Sequence, residues 1–370
     1  SPLSEQQREK VWSISCDGMR EMSDLIQEKL RAIVDQSDLD EISRLEPVQS
    51  GKVDPTYRVF FANGRCCFIK YAGDTVEAGC FGQKLIQKPR RRLSTERRAL
   101  KRLREHHLDT EVDLPEVVFF DKKTLTLILS AVCAGGRSLL DDLKHGRFDP
   151  AVAGTATSFL AGCHALSSPV NPVWGDHETD LTHWEKMLDL RTGGIKSESF
   201  SKQVRQSLEA LKHLSIEASK KRDRAQLLIL DYVPKNILLG KRRMGVIDFE
   251  RCSTIGDPAF DFGLFLGNII FWGLVTNSGN ACRSAIETSL KVYQERFGKE
   301  WFSCRARVAA FSGVALLVQM REEGTLITQR IDKTLMKTAE TLLSRGRCQD
   351  EEIDEIMIRA ASGQLVIGSS

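Results

Sequence analysis

The sequence predicts an α+β protein of two lobes, a small β-rich one followed by a large, mainly α-helical one. Two hairpin signals define the first lobe. Residues 57–61 (YRVFF) and 65–72 (RCCFIKYA) flank the turn triplet Ala62-Asn63-Gly64, while 117–121 (VVFFD) and 125–132 (LTLILSAV) flank Lys122-Lys123-Thr124. Runs of β-branched and aromatic residues bounded by turn residues are the mark of paired strands. The third observation is a change of texture after Gly135-Gly136. Helical patterning then dominates, and only 227–230 (LLIL), 236–240 (NILLG) and 244–248 (MGVID) read as short strands.

Taken in order, residues 4–45 are helix-rich, with Met22, Leu25, Ile26, Leu30, Ile33 and Val34 forming one apolar stripe. The expected organisation is an N-terminal helical extension over 1–45, an N-lobe over 46–133 and a C-lobe over 134–370. Between the two hairpins, Thr95 is predicted to cap a helix continued by ERRALKRLREHH. A glycine-containing hinge lies at 133–137. The most apolar stretch, 262–275 (FGLFLGNIIFWGLV), is about 14 residues long, short of the roughly 20 a bilayer requires, and reads as a buried core helix.

Composition narrows the function classes. The 370 residues are 41% hydrophobic and 28% charged, enough for roughly two domains. Lys and Arg total 53 against 50 Asp and Glu, so a formal charge of +3 demands neither nucleic acid nor an anionic membrane as partner. The basic run 88–93 (KPRRRL) has no interleaved aromatics and reads as a solvated helix face. The ten cysteines include no CxxC pair, which points to reduced thiols and a cytoplasmic setting rather than a disulfide framework or zinc site. The first thirty residues are polar and speak against a secretory signal.

The chemistry concentrates in 227–263 (LLILDYVPKNILLGKRRMGVIDFERCSTIGDPAFDFG). With Gly240 to Met244 as the hairpin loop, Leu239 is predicted to face Gly245 and Asn236 to face Asp248. A carboxamide and a carboxylate so juxtaposed suit Mg²⁺, which prefers oxygen ligands shared with triphosphate oxygens. Asp231, five residues before Asn236, is placed to orient a hydroxyl and accept its proton. Lys70, mid-strand in CFIKY, is the candidate cation for the triphosphate. On the following helix Glu96 shares its face with Leu100 and Leu103, where a carboxylate is costly unless paired, and Lys70 is its expected partner. Ser50 and Gly51, in SGKVDPT, mark the turn for a phosphate-covering loop, and no GxxxxGK[ST] occurs. Asp257 and Asp261 are expected to be structural, Asp257 capping the next helix and Asp261 bracing the Asp231 loop. His164, in FLAGCHAL, reads as a core histidine. Residues 174–189, with Arg191 behind, are the candidate acceptor-binding stretch.

FIKYA with Lys70, TERRAL with Glu96, DYVPKNILL with Asp231 and Asn236, VIDFE with Asp248, and GDPAFD with Asp257 and Asp261 together resemble the aminoglycoside phosphotransferase and choline kinase superfamily over roughly residues 46–345. The resemblance implies a protein-kinase-like fold. It also implies Mg²⁺-dependent transfer of the γ-phosphoryl group of ATP or GTP to a hydroxyl of a small polar acceptor such as a sugar, an amino alcohol or an aminoglycoside. Lys70, Ser50, Gly51 and the hinge residues Ala131 and Cys133 would then contact nucleotide, Asn236 and Asp248 metal, and Asp231, Lys70 and Glu96 would be catalytic. The implied partners are a small-molecule acceptor, without nucleic acid or membrane, in a monomer or homodimer. Two departures stand out. Ile229-Leu230 occupies the position of the superfamily's His-Gly, which leaves a nucleotide-binding regulator as the alternative. Phe249-Glu250 follows the metal Asp where protein kinases carry Phe-Gly, which argues against a protein substrate.

Overall fold

The structure is a computed structural model that describes residues 28, 31–32, 40–48, 56–71, 79–81, 84–86, 92–166, 202–220, 226–323, 328–347 and 352–366. The chain forms two compact units, Ser1–Arg90 with Glu116–Ala131, and Arg91–Pro115 with Val132–Ser370. The apolar stripe from Met22 to Val34 lies outside the described residues.

The first unit is an antiparallel five-stranded sheet. Its strands are β1 (Ile42–Pro47), β2 (Thr56–Phe61), β3 (Cys66–Tyr71), β6 (Val117–Asp121) and β7 (Thr126–Ser130), in the order β1-β2-β3-β7-β6. β4 (Gly79–Phe81) and β5 (Lys84–Ile86) form a separate two-stranded ribbon. Alternation sets the core: Tyr57, Val59 and Phe61 of β2, Cys67 and Ile69 of β3, Ile42 of β1 and Ile128 of β7 pack on one face. Both predicted hairpins form. In the first, Phe60 pairs with Cys66 and Gly64 takes φ 81°, a left-handed turn conformation that glycine adopts without a Cβ clash. In the second, the Asp121 carboxylate accepts from the Lys123 and Thr124 backbone N–H groups and from the Thr124 hydroxyl. These bonds, that of the hydroxyl foremost, hold the Asp121 carboxyl below the usual carboxylate range. β1 begins at Ile42, inside the stretch read as helical, because the preceding stripe gives no signal of where a helix must stop.

The second unit is mainly helical. It contains α1 (Arg92–Glu105), α2 (Leu139–Lys144), α3 (Pro150–Ala165), α4 (Lys202–Lys220), α5 (Pro258–Val275), α6 (Gly279–Phe297), α7 (Glu300–Glu322), α8 (Gln329–Ser344) and α9 (Ile353–Ala361). A small sheet of β8 (Arg137–Ser138), β9 (Ile237–Leu239) and β10 (Met244–Val246) is ordered β10-β9-β8. α1 begins at Arg92, so Thr95 lies inside the helix rather than at its cap. The buried stripe Arg92, Leu93, Glu96, Ala99, Leu100 and Leu103 explains the earlier start, since docking that face rewards an extra turn.

α5 is the central helix. Asp257 caps it, its carboxylate accepting from the Ala259 N–H, and Pro258 follows at the first helical position, where a missing N–H costs nothing. The cap lengthens the helix to 18 residues, beyond the 14-residue apolar run visible in the sequence. α5 and α7 are both long and apolar enough to cross a membrane by length and composition, but 89% and 67% of those stretches are buried inside the protein. Gly263 and Gly267 let the two helices approach closely: a Cβ at Gly263 would lie 2.8 Å from the Val308 carbonyl oxygen, and one at Gly267 2.6 Å from that of Ser312. Cys66, Cys67, Cys133, Cys163, Cys252, Cys282 and Cys304 carry thiols outside any disulfide. Burial pushes the thiols of Cys163 and Cys252 well above their ordinary value and that of Cys282 up to about 12.

Candidate active site

Asp231 is held by its own backbone. Leu228 and Ser253 exchange backbone hydrogen bonds, an isolated bridge where the sequence suggested a longer strand over 227–230. The chain then turns sharply, with Leu230 at φ 59°. A leucine in the left-handed region is strained by its Cβ and needs surrounding structure to hold it there. Both oxygens of Asp261 provide that hold: Oδ2 accepts from the Ile229 N–H at 2.7 Å and Oδ1 from the Leu230 N–H at 2.8 Å. On the other side, Tyr232 donates its hydroxyl to the Ala156 carbonyl of α3 at 2.8 Å, tying the residue after Asp231 to the helical core.

The Asp231 carbonyl accepts from the Val233 N–H at 3.0 Å and from Asn236 Nδ2 at 3.0 Å. Because the amide nitrogen is committed to this carbonyl, the oxygen of Asn236 is the atom left to meet a cation. Lys235 Nζ lies 3.9 Å from Asp231 Oδ2.

The hairpin register differs by one residue from the sequence expectation. Leu239 pairs with Met244 and Gly245 with Leu238, and the Gly240 N–H donates to the Arg243 carbonyl at 3.0 Å, closing a tight turn at Lys241-Arg242. Asn236 therefore meets Ile247, whose N–H donates to its carbonyl at 3.0 Å. The shorter turn satisfies one more backbone pair than the five-residue loop assumed from the sequence. Asp248 comes next and leaves the ladder with φ 71°, so its direction is set by a left-handed bend and not by strand pairing.

That bend brings Asp248 to α1. Glu96, fully buried, accepts from the Phe249 N–H at 3.3 Å. Carboxylate oxygens of Glu96, Asp248 and Glu250 lie within 4.8 Å of one another, and Arg92 Nε is 3.8 Å from Glu250 Oε2. Acidic groups this close repel unless a cation or proton intervenes. The three carboxylates offer only oxygens, the donor set that a hard divalent ion such as Mg²⁺ takes. Glu250 is a member of this cluster that sequence reasoning missed, because no pairing pattern signals its direction.

The remaining residues are placed as follows. Lys70 lies in β3 of the first unit, half-buried, between Thr56 and Leu127 in the ladder. Ala131 donates its N–H to the Cys66 carbonyl at 3.4 Å. Cys133, at φ 49°, accepts at its carbonyl from the Gly136 N–H at 2.7 Å, and its thiol, pushed up by burial, lies 3.4 Å from the Arg243 carbonyl. Ser50, Gly51, residues 174–189 and Arg191 lie outside the described residues. Asp257 receives Arg307 Nε at 2.6 Å, a contact that only the folded chain makes visible.

Comparison with known proteins bears on the fold and the family. A choline/ethanolamine kinase family protein from Mesorhizobium loti superposes with a TM-score of 0.51 at 14% identity, covering 91% of this chain and 99% of its own, and shares the fold. Also similar are choline kinase LicA from Streptococcus pneumoniae (TM-score 0.48, 15% identity, 88% and 99% covered) and macrolide 2'-phosphotransferase MphH from Brachybacterium faecium (0.48, 14%, 84% and 97%). A sequence search of curated proteins finds no match. The profile of the phosphotransferase enzyme family matches residues 81–302, well over half of the chain and the whole of the Asp231 to Asp261 segment. The chain therefore belongs to the phosphotransferase enzyme family, in the superfamily of aminoglycoside phosphotransferases and choline kinases, and has their α+β kinase-like fold.

Proposed function

We propose that the protein transfers the γ-phosphoryl group of ATP or GTP to a hydroxyl of a small polar molecule, a sugar, an amino alcohol or an aminoglycoside-like compound, with Mg²⁺ required. The observation that carries this reading is the hydrogen-bonded path from the Asp231 carbonyl through the Asn236 side chain and backbone to Ile247, next to Asp248. It ties a candidate base to two candidate metal ligands without intervening flexible chain.

In this reading Asp231 accepts the acceptor's hydroxyl proton as its oxygen attacks the γ-phosphorus and the bond to the β,γ-bridging oxygen breaks, releasing the nucleoside diphosphate. Asn236 and Asp248 would hold Mg²⁺, with Glu96 and Glu250 close enough to Asp248 to tune its charge. When bound, the ion would offset charge on the triphosphate oxygens. Lys70 is assigned to the triphosphate, with Glu96 as the carboxylate that orders it. Ser50, Gly51, Ala131 and Cys133 are assigned to nucleotide contacts. A reducing, cytoplasmic setting is part of this reading, supported by scattered cysteines with no CxxC pair.

Release of ADP or GDP across a panel of hydroxyl metabolites and antibiotics tests the proposal; acceptor-dependent release supports it. A regulator that binds nucleotide without transferring phosphate is the second reading, favoured by Ile229-Leu230. Mg-ATP binding detected by thermal shift, with no release for any acceptor, would establish that alternative.

A further inference from the structure

His164 of α3 is fully buried among apolar residues, yet both ring nitrogens are engaged. Nδ1 is 2.7 Å from the Tyr293 hydroxyl and Nε2 is 3.3 Å from Asp261 Oδ2. A carboxylate only accepts, so the ring proton belongs on Nε2, and Nδ1 then accepts from Tyr293. Tyr293 is itself fixed by stacking on Phe262, with ring centroids 4.0 Å apart. Asp261 thus meets three donors, the Ile229 and Leu230 N–H groups and the imidazole, all in a fully buried position. A buried carboxylate is tolerated only when so satisfied.

We propose that His164 is a positioning residue for Asp231: through Nε2–H it fixes the Asp261 carboxylate, which clamps the Ile229 and Leu230 amides and keeps Leu230 in the left-handed conformation that aims Asp231. Leu230 is strained at φ 59°, and relaxing it would rotate the peptide plane that leads into Asp231. With a donor missing, Asp261 Oδ2 retains the Ile229 amide alone of its two, and the carboxylate gains freedom to swing. The sequence places Ile229-Leu230 where the resemblance expects His-Gly, so the loop supplies neither an imidazole nor a strain-free residue of its own. The imidazole arrives from α3, 67 residues upstream by the numbering of His164 and Asp231. This inference rests on the proposal that Asp231 serves as the base.

The test pairs hydrogen exchange with turnover in the full-length protein. His164→Leu should speed exchange of the Ile229 and Leu230 amides by about tenfold or more while α5 and α7 stay protected. Hydrolysis of Mg-ATP to water should fall at least about tenfold in kcat, with Mg-ATP affinity within about twofold of wild type. His164→Gln, which can still donate an N–H to Asp261, should recover most of both. Should His164→Leu fail to fold, Tyr293→Phe keeps the stack on Phe262, removes the hydroxyl that donates to Nδ1 and holds the ring in place, and should show the same two effects more weakly.

Unchanged exchange at 229 and 230 in a folded variant overturns the clamp, even if the wild-type enzyme is active. Faster exchange with unchanged kcat overturns the link to Asp231. Faster exchange in a protein whose wild type turns over no nucleotide overturns the phosphotransferase reading, and the positioning role with it.

Discussion

The side-chain amide of Asn236 donates to the backbone carbonyl of Asp231 at 3.0 Å, so one residue shapes the loop of its neighbour while keeping an oxygen for a cation. Asn236→Asp separates these tasks. It retains an oxygen ligand but replaces an N–H donor with a negative oxygen aimed at a carbonyl. Turnover should fall about a hundredfold or more, and added Mg²⁺ should restore little of it, because what is lost is the shape of the Asp231 loop. Full rescue by Mg²⁺ would assign Asn236 to metal binding alone. Steady-state kinetics against Mg²⁺ concentration decide.

Asp231→Ala should lower kcat by roughly two to four orders of magnitude, the range of general-base catalysis, while Mg-ATP affinity by calorimetry stays within a few-fold. The carbonyl that Asn236 and Val233 grip is backbone, and it survives the substitution. Equal loss of binding and turnover would contradict this division.

Asp248 occupies the left-handed region at φ 71°, which Asn tolerates better than Ala does. Asp248→Asn is therefore the clean charge-removing variant. It should raise the Mg²⁺ concentration for half-maximal activity by about tenfold or more, with little change in thermal midpoint. Asp248→Ala should add a folding cost of about 1 kcal/mol from backbone strain. Glu250→Gln should give a smaller shift in Mg²⁺ demand, as Glu250 joins the cluster from beside Arg92.

How much of this was legible beforehand depends on the range of the interaction. The hairpins at 57–72 and 117–132 and the burial of Glu96 with Leu100 and Leu103 follow from local periodicity, which a sequence displays directly. The register of the 237–246 hairpin was not legible, because Gly240 to Met244 admits a five-residue loop as readily as a two-residue turn, and only the Gly240 to Arg243 bond decides. The α1 start is not legible either, because Thr95 is a capping residue type while the stripe that docks reaches back to Arg92. The sequence already suggests that Asp261 braces the Asp231 loop, as its bonds to the Ile229 and Leu230 amides do, but the contact of His164 with Asp261 joins two distant helices and nothing in either marks the other.

Gly263 and Gly267 set the approach of α5 to α7. Gly267→Ala would drive a methyl to 2.6 Å from the Ser312 carbonyl oxygen, and backbone on a packed helix cannot move aside without displacing its neighbours. The overpacking should cost about 1–3 kcal/mol, outweighing the better helix propensity of Ala, about 1 kcal/mol. Urea denaturation should show the loss in midpoint with an unchanged slope. A more stable variant would mean that the helices have slack the close approach does not suggest.

Asp142 of α2 gathers two arginines: Arg137 Nε at 2.6 Å and Nη2 at 2.9 Å, and Arg147 Nε at 2.8 Å. The Arg137 hydrogen bonds foremost, with those of Arg147, hold the Asp142 carboxyl below its ordinary value despite partial burial. A folded pKa below the unfolded one means that the unfolded chain binds the proton more readily. The stabilisation is thus fully present above the unfolded value of about 4 and is lost as pH falls through the depressed folded value. Asp142→Asn should lower the thermal midpoint by a constant amount between pH 8 and pH 5, as these pH values bracket a fully ionised carboxylate at about 1 unit or more above its unfolded pKa. The gap to wild type should then close as the solution is acidified further. Because both arginines are half-exposed, added salt should shrink the gap at neutral pH as well. β8 carries Arg137 and pairs with β9, so the same substitution should loosen the edge of the small sheet that leads out of Asn236. A midpoint difference that grew on acidification would reverse the sign of the linkage and exclude Asp142 as its source.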